Sequence, residues 1–128
     1  MKKLQINPWT WQDALGFAQC WRVEGAHALL VLSGQAPISP EGHVVEGGFE
    51  AQARQVFRNL RTVLEQAGGS LDDVVKLTVY LTDMSRLREY SSIRAEYMRG
   101  APPASTAVGV TALARPDMMI EVEALAAL

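Results

Sequence analysis

Near the end of the chain stands "IEVEALA", where Ile120, Val122 and Ala124 alternate with Glu121 and Glu123. A two-residue period predicts a strand with one face in a core, and it sends both carboxylates to the opposite side. Val75, Leu77, Val79 and Leu81 alternate in the same way with Lys76, Thr78, Tyr80 and Thr82, which predicts a second half-buried strand. "HALLVLSGQ", from His27 to Gln35, is a continuous apolar run closing on Ser33-Gly34, and reads as a buried strand followed by a tight turn. "ASTAVGV", after Pro102-Pro103, predicts a further strand, and "TALARPD" the connection to the last one.

Elsewhere the period lengthens. From Phe49 to Ala67, apolar Ala53, Val56, Phe57, Leu60, Val63, Leu64 and Ala67 recur at three- and four-residue steps, with Arg54, Arg58, Arg61 and Glu65 off the stripe. That spacing predicts a long amphipathic helix, ended by Gly68-Gly69 and followed by a capping-box turn at Ser70-Leu71-Asp72-Asp73. "SRLREYSSIRAEYM" predicts a second helix, capped by Ser85 or Asp83, with a stripe at Leu87, Tyr90, Arg94 and Tyr97. The resulting order of strands, long helix, strand, helix and two strands predicts an α+β domain over residues 1–128, one mixed sheet with both helices on one face. Such a sheet leaves a face and two edges bare, so self-association is expected.

Composition narrows the chemistry. A formal net charge of -2 on 128 residues gives no broad basic field, which disfavours nucleic acid as a partner. No run is long and apolar enough for a bilayer or a signal-peptide core, so the expectation is a cytoplasmic protein without a membrane partner. Cys20 is the only cysteine, and His27 and His43 sit in no metal-ligand spacing, so no metal site is expected. In "FAQCWRV", Cys20 reads as a small buried apolar residue rather than a nucleophile. The glycines form neither a P-loop nor a dinucleotide fingerprint. Arg94 is the anomaly: a guanidinium on an apolar helix stripe must either reach water or find an anion. Glu121 is one candidate partner, and the alternative is that both residues face one cleft.

The motifs, taken in order, resemble the reactive intermediate deaminase family, the Rid or YjgF/UK114-type proteins. The resemblance rests on "LLVLSGQAP", "QARQVFRNLRTVLEQAGGSLDDVVKLTVYLTDM", "AEYM", "PPAST" and "IEVEALA", which span nearly the whole chain. It implies a chorismate-mutase-like fold, a homotrimer whose sheets form a central barrel, and clefts between subunits that bind a small metabolite. It also implies hydrolysis of enamine or imine acids to 2-oxo acids and ammonia, with no cofactor.

Position by position, Gly34 matches the family's cleft-lining glycine and Glu121 the glutamate that orients water. Ser105, in Pro103-Ala104-Ser105-Thr106, stands where the family carries the arginine that clamps the substrate carboxylate. Gly16-Phe17-Ala18-Gln19 replaces a Gly-Pro-Tyr-Ser-Gln motif, and Arg94 replaces a helix asparagine. These departures imply a re-formed cleft in which Arg94, Ser105, Gly34 and Phe17 bind the ligand and Glu121 positions water. Glu123 is expected nearer the exposed end of its face. The expected activity is therefore a deaminase of altered specificity. Two alternatives stay open: a non-catalytic ligand-binding or protein-partner module, and an endoribonuclease, which the charge disfavours.

Overall fold

In the computed structural model, which describes Met1–Leu128, the elements run β1 (Lys2–Ile6), β2 (Cys20–Glu24), β3 (Leu29–Gln35), α1 (Gly48–Gln66), β4 (Val74–Leu81), α2 (Leu87–Tyr97), β5 (Ala104–Gly109) and β6 (Ile120–Ala127). The main sheet has the order β3-β6-β4-β5. Its pairs are antiparallel except β4 with β5, which are parallel because α2 carries the chain back across the sheet between them. The predicted mixed α+β sheet with two helices on one face is the observed architecture.

Alternation sets which face is covered. Leu77, Val79 and Leu81 of β4 and Ile120, Val122, Ala124 and Ala126 of β6 are buried against the helices. They meet the α1 stripe at Phe49, Ala53, Val56, Phe57, Leu60 and Leu64, together with Tyr90 and Ile93 of α2. Val63, counted on that stripe from its spacing, lies at its margin and is partly exposed. The strand from His27 departs from its reading as buried. Leu32 is in the core, but Leu29 and Val31 on the other face are 63% and 73% exposed, because nothing in the chain covers that side of β3.

β1 and β2 were not expected from the pattern. They form a separate antiparallel hairpin in which no residue is fully buried, and only the short alternation of Trp21 and Val23 in β2 marks it. Cys20 opens β2 and is exposed, against its reading as a small buried residue. The hairpin joins the main sheet at Pro102-Pro103. Prolines have no N–H, but their carbonyls still accept: Ala18 N–H donates to Pro103 O (3.0 Å) and Trp21 Nε1 to Pro102 O (2.9 Å).

Capping follows the predicted chemistry with one addition. The Ser70–Asp73 capping box forms, and Asp83 accepts from Ser85 N–H to start a 3-10 turn at Met84–Arg86 that leads into α2. Loops are pinned by amides reaching out of α1. Buried Gln52 donates to Asp117 O (2.8 Å) and accepts from Met119 N–H (2.7 Å), fixing the approach to β6. Gln52→Leu leaves both backbone groups unpaired, and chemical denaturation should show a loss of about 2–3 kcal/mol.

Candidate functional site

The helix stripe Leu87, Tyr90, Arg94 and Tyr97 turns one edge of α2 toward β4 and β5, as three- and four-residue steps require. Between α2, from its first turn to Arg94, and strands β4 and β5, a cavity of about 920 Å³ opens. Arg88, Tyr90, Ser91 and Arg94 of α2 form one wall, and Val79, Ser105 and Ala107 of the sheet form the floor. The loop before β2 supplies Ala14, Leu15 and Phe17, and the turn before α2 supplies Met84 and Ser85.

That loop is held by Gln12, which is fully buried. Gln12 donates to Trp9 O (2.9 Å) and Asp13 Oδ1 (3.1 Å), and accepts from Gln19 Nε2 (3.3 Å). Gly16 follows at φ +73°, a conformation few side chains tolerate, and its carbonyl accepts from Arg94 Nη2 (2.8 Å). A Cβ at position 16 would lie 2.7 Å from that nitrogen, so the glycine also makes room for the guanidinium. Phe17 lies edge-on to Trp11, which stacks on Trp9; both indoles are more than half exposed.

Arg94 is 7% exposed and makes no salt bridge. Three weak compensations hold it: the Gly16 carbonyl, the last turn of α2 with its partial negative charge, and the Tyr90 ring, whose centroid is 6.0 Å from Cζ. None neutralises the charge, and a buried cation in this state favours a bound anion. Tyr90 is 1% exposed and its hydroxyl has no hydrogen-bond partner. Burial pushes that hydroxyl up to about 12, with the Arg94 charge opposing the rise, so it is protonated at neutral pH.

Glu121 is elsewhere. In the β4–β6 register it faces Tyr80, on the side of the sheet away from the helices, whereas Ser105 pairs with Leu77 on the helix side. The Glu121 side chain lies over Gly34, where a Cβ would come within 2.9 Å of Cδ and 3.0 Å of Cγ. Arg94, Ser105 and Phe17 therefore share one cavity, and Gly34 and Glu121 form a second group on the opposite face. An Arg94–Glu121 pair within one chain is ruled out by this arrangement.

Glu123 has a partner of its own on that face. It is half-buried and accepts from Tyr80 Oη at 2.5 Å, and this bond is the main cause of the raised Tyr80 pKa. Tyr90 is the cavity residue that sequence reasoning assigned to the core alone. Its signal was available, since a tyrosine at a fully buried stripe position carries a hydroxyl that needs a partner.

A family model described as endoribonuclease L-PSP matches residues 15–128. A RutC family protein of Pyrococcus horikoshii is 45% identical over 98 residues, which cover 76% of this chain and 77% of that protein. Among solved structures, YyfB of Yersinia pestis, described as a protein of unknown function of the conserved Rid family, has a TM-score of 0.88 and 36% identity with 100% of both chains covered. RidA from an Antarctic Psychrobacter has a TM-score of 0.75 and 36% identity over 88% of each chain. Trp9 and Trp11 precede the family match and fall within the YyfB match.

Proposed function

Because the chain belongs to the endoribonuclease L-PSP family, the group of the Rid and YjgF/YER057c/UK114 proteins, we propose that it binds a small carboxylic acid at Arg94 and hydrolyses an imine or enamine group on it. The observation that carries this reading is the buried, carboxylate-free guanidinium of Arg94 in a cavity lined also by Ser105, which the family resemblance aligns with the carboxylate-binding arginine. The anion-binding charge is thus supplied from the helix side of the cavity instead of from its floor.

Glu121 lies on the other face of the sheet, so this reading brings it to the cavity from a second copy. The exposed Leu29 and Val31 lie on the same side of the sheet as Glu121 and give that face an apolar reason to associate. In a homotrimer with clefts between subunits, one copy contributes Arg94, Ser105 and Phe17 and its neighbour contributes Gly34 and Glu121. Water attacks the imine carbon while Glu121 accepts its proton. From the protonated imine this gives a neutral carbinolamine; Glu121 returns the proton to its nitrogen, then takes the hydroxyl proton as the C–N bond breaks to release the 2-oxo acid and ammonia. An enamine enters the same route after protonation at carbon to the imine.

The test is release of ammonia and 2-oxo acid from freshly generated imino acids by wild type and Glu121→Gln. Turnover reduced about 100-fold in the variant supports the reading, in the range general-base catalysis contributes. Equal turnover in both, or none above the uncatalysed rate in wild type, overturns it. Ser105 favours one second reading: with the floor arginine gone, the same cavity serves as a non-catalytic ligand sensor. That reading predicts stabilisation by acids without turnover.

A further inference from the structure

We propose that the Tyr90 hydroxyl is a second ligand donor beside Arg94, and that the two form the acid-binding end of a cavity built for a 2-oxo or 2-imino acid with a bulky apolar arm. This deepens the reading above and rests on it for the role of Arg94.

Two independent observations converge on Tyr90. The first is energetic. Its hydroxyl is buried and unpaired, a state that costs about as much as a lost hydrogen bond and that phenylalanine would avoid at the same packing. Phe57 stacks on the ring at 5.9 Å between centroids, and that contact needs no hydroxyl. The second is positional. Tyr90 lies one helical turn before Arg94 and lines the same cavity, with the guanidinium carbon within 6.0 Å of its ring. No well-formed hydrogen bond joins the two groups, but the guanidinium lies close enough for its charge and its N–H groups to oppose the rise in the hydroxyl's pKa, so the two are placed to meet one ligand. A carboxylate has two oxygens and about four acceptor sites, enough for a guanidinium and a phenol together.

The arm follows from volume and lining. About 920 Å³ in one subunit, before a neighbour narrows the cleft, exceeds the needs of a three-carbon acid. Eight of the 13 lining residues are hydrophobic, and Phe17, braced by Trp11, offers an aromatic wall beyond the charged end.

Binding of phenylpyruvate and pyruvate, both stable, is measured by calorimetry on wild type, Tyr90→Phe and Arg94→Met, with melting curves for each protein. Wild type should bind phenylpyruvate at least tenfold more tightly than pyruvate. Tyr90→Phe should lose tenfold or more in phenylpyruvate affinity while melting at the same temperature or higher, a combination that a purely structural tyrosine would not give. Phenylpyruvate binding unchanged in Tyr90→Phe but lost in Arg94→Met would overturn the role of Tyr90 and leave the Arg94 reading standing. Equal affinity for the two acids would overturn the bulky ligand class. Unchanged binding in Arg94→Met, or none in wild type, would overturn both the inference and the reading beneath it.

Discussion

Arg94→Met should cost the protein about 2–5 kcal/mol of acid-binding free energy, some 30-fold to over 1,000-fold in Kd, while leaving its folding stability within about 1 kcal/mol of wild type. The binding loss is large because the guanidinium acts from a site screened from water, where a ligand carboxylate would have no comparable partner. The stability effect is small because two terms oppose. Methionine leaves the Gly16 carbonyl without its donor, but it also removes a buried charge that no carboxylate in the chain neutralises. Calorimetric titration with a 2-oxo acid and urea denaturation of the same preparations measure both quantities. A collapse of stability with binding intact would mean that Arg94 is a structural strut between α2 and Gly16.

Phe57→Ala should be the most damaging core substitution for the site, at about 3–5 kcal/mol out of the 5–15 kcal/mol that stabilises ordinary domains. Phe57 is fully buried on α1 and stacks on both tyrosines of the α2 stripe, Tyr90 at 5.9 Å and Tyr97 at 5.5 Å. Removing its ring opens a void directly behind Tyr90, so the α1–α2 contact loosens where the cavity wall is made. Thermal unfolding should show the loss of stability. Titration at low temperature, where the variant remains folded, should show weakened acid binding although residue 57 does not line the cavity. Phe57→Leu, which retains most of the volume, should recover the larger part of both losses.

The parts of this fold legible in the sequence are those in which burial imposes a period. β4 and β6 alternate cleanly because one face of each is sealed by helices. α1 keeps a strict stripe for the same reason. β1 and β2 carry only short alternations, Leu4 and Ile6 in one and Trp21 and Val23 in the other, and no core seals them; backbone pairing and anchoring to Pro102 and Pro103 hold them instead. The exposure of Leu29 and Val31 is hidden for the converse reason: an apolar run looks alike whether its second face meets the same chain or another copy.

The site was half legible. Arg94 announces itself as a charge on a core stripe, and Glu121 as a carboxylate off the core alternation. Taken together, those two facts already place them on different sides of the sheet, whereas treating each as a cleft residue alone merges them. Tyr90 stayed hidden because a tyrosine satisfies the apolar pattern with its ring, and only the surroundings reveal that its hydroxyl is unpaired.

The two-sided arrangement also has a genetic consequence. If each cleft joins the Arg94 side of one subunit to the Glu121 side of its neighbour, a lesion on either side spoils a cleft that the mutant chain shares with another copy. Two alleles damaged on different sides of the sheet would then complement in mixed assemblies, whereas two damaged on the same side would not. Inheritance of activity would follow the neighbour as much as the chain itself.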